Sequence, residues 1–230
     1  MIGEALRSKR IAVTGATGFV GTALVERLLR SVPDCEIVLL VRPGRRSNAA
    51  ARTEREVLRN DCFDRLRREL GSEFDAEIAR RVTTIAGDVG TDDLGLDDDG
   101  RAALARCDVV VHAAASVSFD AAFDDAVEVN LLGPTRVAQT LLDLHAPSRD
   151  RALPHLISVS TAYVNSGHRG DATEIPVTES PFLSLPSWRE EVDSARRARG
   201  TAELESRRPN RLVEFRKAAR REIGAAGVAL

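Results

Sequence analysis

The chain has 230 residues, 43% hydrophobic and 30% charged, with a formal net charge of −2. That balance fits one large globular domain, or one domain with an appendage, and excludes a mostly disordered chain. A charge so near zero gives no global field to recruit nucleic acid, and no apolar run approaches a transmembrane length.

The elements read as follows in chain order. Ile11–Val13 is a short apolar strand ending in Thr14-Gly15. Phe19 to Leu29 follows with apolar residues at Val20, Leu24, Leu28 and Leu29, a helical spacing. Pro33-Asp34 breaks that helix. Glu36–Val41 is a continuous apolar run, the pattern of a strand buried on both faces of a parallel sheet. Residues 50–80 are highly charged, and Leu58, Cys62, Leu66 and Leu70 fall four apart, which predicts one amphipathic helix. Val82–Ala86 is a third strand, closed by Gly87-Asp88. Asp97–Asp99 lead a short helix, with acidic residues at its positive end. Asp108–His112 is a fourth strand, Asn130–Leu144 a helix, and Leu156–Val159 a fifth strand ending in Ser160-Thr161. This alternation predicts an α/β fold with a parallel sheet and right-handed crossovers.

Residues 1–186 form the expected nucleotide-binding domain, with a formal charge of −6, and residues 187–230 a charged helical segment of +4. Pro209 divides that segment, and Leu212, Phe215, Ala219 and Ile223 share one helical face. Cys35, Cys62 and Cys107 are widely spaced with no Cys-x-x-Cys pair. They read as buried free thiols in a reducing compartment, and the N-terminus lacks a signal-peptide core, so the expected location is cytoplasmic.

The strongest local signal is Thr14-Gly15-Ala16-Thr17-Gly18-Phe19-Val20-Gly21, set between a strand and a helix. Gly15 allows the tight turn, Gly18 lets the backbone approach a pyrophosphate, and Gly21 lets the helix pack on the strand. The helix N-terminus then offers amides and a positive dipole end to phosphates. A Rossmann-like doubly wound sheet is the expected fold. Arg42 ends the second strand where an NAD site usually carries an acidic residue, with Arg45 and Arg46 behind it. A guanidinium there suits a 2′-phosphate, so the expected cofactor is NADP(H). The alternative is a solvated Arg in an Arg-rich chain.

The Gly-x-x-Gly-x-x-Gly spacing resembles the extended short-chain dehydrogenase/reductase family. Further strings narrow the branch: Leu40-Val41-Arg42-Pro43, Gly87-Asp88-Val89, His112-Ala113-Ala114-Ala115-Ser116-Val117-Ser118-Phe119-Asp120, Val129-Asn130-Leu131-Leu132-Gly133-Pro134-Thr135, and Val159-Ser160-Thr161-Ala162-Tyr163-Val164-Asn165. In this order, over about residues 10–176, they resemble the fatty acyl-CoA reductases, the male sterility NAD-binding family. The resemblance implies hydride transfer from NADPH to the thioester carbon of a fatty acyl-CoA, giving an aldehyde or an alcohol. It places Asp88 at the adenine amino group, Val89, Ala113 and Ala114 along the cofactor, and Thr161, with Ser160 beside it, at the carbonyl oxygen. Asn130 matches the family's helix Asn, in a proton relay or supporting the helix; its plain alternative is an N-cap. His112 reads as packing, and His145, His155 and His168 as surface residues.

One departure stands out. The family's Tyr-x-x-x-Lys pair is missing: Tyr163 is the single Tyr and is followed four positions on by Gly167, while the two Lys are Lys9 and Lys217. The chain reads as an N-terminal portion that stops before the catalytic helix, with one sheet edge uncovered and prone to self-association. A non-catalytic NADP(H)-binding module and an extended-family sugar-nucleotide epimerase or dehydratase stand as alternatives.

Overall fold

The computed structural model describes residues 2–118, 120–146, 152–161, 170–171, 174–176 and 187–223. They fall in two units, residues 1–121 with 128–164, and residues 122–127 with 165–230.

In the first unit a short turn of helix, α1 (Ile2–Ala5), precedes strand β1 (Arg10–Thr14). Helix α2 (Phe19–Ser31) and strand β2 (Glu36–Val41) follow. Three short helices, α3 (Ala49–Arg52), α4 (Asp64–Leu70) and α5 (Phe74–Arg81), lead to strand β3 (Val82–Ala86). Helix α6 (Asp98–Ala105) and strand β4 (Val109–His112) come next. In the second unit, α7 is Phe123–Ala126; the first unit resumes with α8 (Leu132–His145) and β5 (His155–Ser158).

The five strands are all parallel, in the order β3-β2-β1-β4-β5. The order of strand addition therefore reverses at β1, and the switch point where open α/β sheets form a crevice falls at the carboxyl ends of β1 and β4. Because strand side chains alternate, each strand serves two cores. Ile11, Val13, Ile37, Leu39, Val109 and Val111 face α2 and the helices after β2. Ala12, Val38, Leu40 and Val110 face α6 and α8, through Leu104, Val137 and Leu141. This is the expected doubly wound Rossmann-like sheet. β5 forms one edge, and its Ile157 and the following Val159 are 44% and 50% exposed.

The expected single helix over 50–80 is broken into pieces. A π-helical turn spans Thr53–Leu58, the side chain of Asn60 accepts the Cys62 amide at 3.0 Å, and Gly71 turns the chain at φ +55°. These breaks bury Phe63 fully and leave Cys62 exposed, against the expected stripe. Cys35 and Cys107 are buried as expected. Buried Arg81 secures the end of this segment, donating to the carbonyls of Cys35, Leu29 and Val32 at 2.7–2.8 Å.

In the second unit, α9 (Trp188–Ser206) buries Val192 and Ala195, and its Arg199 pairs with Asp124 of α7 at 3.2 Å. α10 (Pro209–Ile223) starts on Pro209, whose missing N–H costs nothing at a first helical position. Leu212 and Phe215 of its expected apolar face are exposed. No described helix is long and apolar enough to cross a membrane.

Phe63 is the largest fully buried side chain. Phe63→Ala is expected to destabilise the fold by about 3–5 kcal/mol, through lost transfer energy and a residual cavity. A lower urea midpoint at unchanged slope would check this; an unchanged midpoint would contradict it.

Candidate functional site

The carboxyl edge of the sheet gathers most of the residues singled out in the sequence. Gly15, at φ +71°, folds the chain back directly after β1. A Cβ on Gly15 would lie 2.5 Å from the backbone of Ala113, and one on Gly21 would lie 2.1 Å from the Gly15 carbonyl. Both positions therefore admit no side chain. Gly18 differs: its added Cβ would meet the Gly15 carbonyl at 3.3 Å, and the residue is exposed. The protein itself constrains Gly18 less than it does Gly15 and Gly21.

Gly18 is also the N-cap of α2, with no side-chain cap bond. The first helical bond runs from the Thr22 N–H to the Gly18 carbonyl at 2.9 Å. The amides of Phe19, Val20 and Gly21 precede it, at the positive end of the helix dipole. The Phe19 and Val20 side chains are exposed, and Thr17 is half-buried. The Thr22 hydroxyl bonds the Ala16 and Gly18 carbonyls at 2.7 and 2.8 Å and so holds the turn from behind.

Across the crevice, the Thr14 hydroxyl accepts the Ala114 N–H at 3.2 Å and lies 2.8 Å from His112 Nδ1. One hydroxyl thereby joins the ends of β1 and β4. His112 is buried, and that burial pushes its pKa below the ordinary 6.5, which favours the neutral ring. His112, expected only to pack, instead bonds Thr14 across the two strand ends. The signal was a polar residue ending an otherwise apolar strand, opposite Thr14 in register.

Arg42 is exposed at the end of β2, its guanidinium 3.8 Å from Asp88 Oδ2. The other Asp88 oxygen accepts the Gly90 N–H at 2.9 Å, a turn-forming bond. Val89 turns its side chain into the core, where its nearest atom would lie 3.5 Å from a Cβ on Gly133. Asn130 makes neither of the expected arrangements with its own helix. It lies in a π-helical turn, Val127–Leu131, and its amide brackets the backbone of Ser116, accepting the N–H and donating to the carbonyl, each at 2.8 Å. It thus holds the loop after β4, whose Ala113 and Ala114 are half-buried.

Val159 N–H continues the β4–β5 ladder to the His112 carbonyl at 2.8 Å, so Ser160 and Thr161 leave the sheet at the same edge, both exposed. Phe119, Tyr163, Asn165 and His168 lie outside the described residues. His155 is exposed as expected. His145, expected on the surface, is buried at the end of α8 with Nδ1 2.8 Å from the Leu141 carbonyl.

A glycine turn that links the first parallel strand to its helix at the point where strand order reverses defines a Rossmann-like dinucleotide-binding protein. Comparison narrows the class. The model of the family described as Male sterility protein, an NAD-binding family, matches residues 13–215, and the chain belongs to that family. The chain is 35% identical over 182 residues to a probable fatty acyl-CoA reductase 5 of Arabidopsis thaliana, covering 77% of this chain and 34% of that protein. It is 34% identical over 176 residues to an alcohol-forming fatty acyl-CoA reductase of Simmondsia chinensis, covering 75% and 34%. Among solved structures it is similar to the terminal R domain of the myxalamid PKS-NRPS biosynthetic pathway, with a TM-score of 0.51 and 30% identity over 74% of this chain and 39% of that chain. The chain spans roughly a third, 29–34%, of the length of the curated relatives it matches. The cofactor class of this fold and family is a nicotinamide dinucleotide.

The neutral, buried His112 has a thermodynamic consequence. Below pH 6.5 the unfolded chain takes up a proton that the folded ring resists, so the unfolded state binds more protons and stability falls as pH is lowered. The loss runs from 6.5 down to the depressed folded value and then levels off. Thermal melts across pH 7 to 5, roughly the His titration range, should show a slope that weakens in His112→Gln. An identical slope in the variant would assign the effect to other groups.

Proposed function

We propose that this chain binds NADP(H) and serves the reduction of a fatty acyl-CoA thioester to an aldehyde or alcohol. The observation that carries the cofactor assignment is Arg42, exposed at the carboxyl end of β2 beside the glycine turn. A guanidinium there offers charge and paired donors to a 2′-phosphate. Membership of the male sterility family, with relatives named fatty acyl-CoA reductases, supports the substrate class.

In this reading the α2 N-terminus and the Gly15–Gly21 turn hold the pyrophosphate. Asp88 receives the adenine amino group, and the backbone of Val89, Ala113 and Ala114 borders the cofactor. When bound, the cofactor supplies a hydride to the thioester carbon. Thr161, with Ser160 beside it, donates a hydrogen bond to the carbonyl oxygen, which accumulates charge as the carbon is attacked. Asn130 positions the loop after β4 through Ser116. The three free thiols suit a reducing, cytoplasmic setting.

A second reading rests on one sequence fact. No Tyr in these residues is followed four positions on by Lys. A chain lacking that proton-donating pair fits an NADP(H)-binding module without turnover.

Calorimetric titration with NADPH and NADH tests the cofactor. NADPH is expected to bind more tightly, and Arg42→Ala to lower its affinity about ten- to hundredfold, the worth of a charge-assisted bond, with NADH little changed. Equal affinities, or an Arg42→Ala variant that keeps the preference, would overturn it. A series of acyl-CoA thioesters with NADPH then tests the reaction. Aldehyde or alcohol that disappears in Thr161→Ala, with NADPH binding intact, supports reduction; no product from any thioester, with NADPH bound, leaves the module reading.

A further inference from the structure

The loop that carries Arg42 is closed by devices absent from the glycine turn. Gly44 and Ser47 form an antiparallel bridge, with the Gly44 N–H donating to the Ser47 carbonyl at 2.8 Å. A Cβ on Gly44 would lie 2.7 Å from the Ser47 hydroxyl. Asn48 then caps α3, its side chain accepting the Ala51 N–H at 2.8 Å. This cap starts a helix whose fourth residue is Arg52.

Arg52 turns back over the loop. Its Nη1 donates to the Arg42 carbonyl at 2.5 Å. Its Nε and Nη2 are both taken by Glu56, at 3.1 and 2.6 Å. The Arg52 side chain is only 19% exposed, against 66% for Arg42. Hydrogen bonds from Arg52 hold the Glu56 carboxyl below its ordinary range, opposed by burial and reinforced by Arg55. Thr53, next along, is buried and bonds Thr84 of β3 at 3.1 Å, which fixes the base of the device to the sheet.

We infer that Arg52 is a positioning residue for 2′-phosphate recognition: oriented by Glu56, it clamps the Arg42 carbonyl and so presents the Arg42 guanidinium to the phosphate. The inference rests on the NADP(H) reading above. Its physical basis is division of labour between two guanidinium groups. Arg52 has its charge matched and its donors committed, so it supplies geometry. Arg42, whose head is exposed and only loosely engaged by Asp88, supplies charge. Holding the backbone of Arg42 in advance reduces the ordering cost when phosphate binds.

The sign of one substitution separates this role from direct charge attraction. Were Arg52 itself a phosphate ligand, removing the Glu56 charge would free a cation and tighten NADPH. As a positioning residue, Arg52 loses its orientation when Glu56 is neutralised, and NADPH weakens. Dissociation constants for NADPH and NADH are measured on the whole chain for wild type, Arg42→Ala, Arg52→Gln, Arg52→Lys and Glu56→Gln, with a thermal melt of each.

Arg52→Gln is expected to weaken NADPH about five- to tenfold and leave NADH within about twofold, since only the 2′-phosphate contact loses preorganisation. Glu56→Gln should weaken NADPH in the same direction, and Arg52→Lys should restore part of the loss, keeping one donor but not the fork. An unchanged NADPH-to-NADH ratio in Arg52→Gln, equal weakening of both cofactors, or tighter NADPH in Glu56→Gln would each overturn the inference. If Arg42→Ala leaves the ratio unchanged, the failure lies in the underlying NADP(H) reading. If Arg42→Ala collapses the ratio while Arg52→Gln does not, it lies in the role of Arg52.

Discussion

Two missing methyl groups set the geometry of the whole carboxyl edge. With a Cβ on Gly15 at 2.5 Å from Ala113, or on Gly21 at 2.1 Å from Gly15, the turn after β1 could not lie against the end of β4. The Thr14 hydroxyl would then miss Ala114 and His112, and the crevice between β1 and β4 would lose its closure. The N-terminus of α2 would also point elsewhere. Orientation of unpaired helix amides, rather than their number, makes a phosphate site. The close approach of two backbone segments thus precedes, physically, every contact a dinucleotide could make here.

Charge plays its part within that frame. Several arginines of the first unit meet a carboxylate three or four residues away on their own helix. Arg30 pairs with Glu26, Arg52 with Glu56, Arg65 with Glu69, Arg67 with Asp64 and Arg80 with Glu77. Such exposed pairs add little to stability in water. Their larger effect is to commit the guanidinium groups. Arg42 stands outside this pattern, on a strand end with its neighbour Asp88 at 3.8 Å. An Arg-rich composition alone therefore says little about phosphate binding. What distinguishes an arginine for that purpose is its lack of a matched helical carboxylate at a carboxyl edge.

Local periodicity made the strands, the glycine turn and the order of elements legible. Each is encoded over a few consecutive residues: the apolar run Glu36–Val41, the Asp97 cap before α6, Thr14 to Gly21. The break into separate helices between β2 and β3 is not legible in the same way. Apolar residues four apart satisfy a continuous helix and a chain of short ones equally, and the choice was made by Asn60, Gly71 and a π turn. The bracket from Asn130 to Ser116 and the clamp from Arg52 to Arg42 were invisible for another reason. Each ends on a backbone atom, 14 and 10 residues away, and sequence carries no mark of which carbonyl a side chain will reach. A polar residue at a helix end suggests solvent, but His145 is buried with Nδ1 bonded to the Leu141 carbonyl, a backbone partner that the sequence does not mark.

These ties run along the carboxyl edge. From β2 to β4 nearly every loop is cross-linked: Arg42 to Arg52, Asp88 to Gly90, Thr14 to Ala114, Ser116 to Asn130. Ser160 and Thr161, after β5, are exposed. A dinucleotide, the cofactor class of this family, must be fixed to a fraction of an ångström to react, and loops already tied to one another supply that frame.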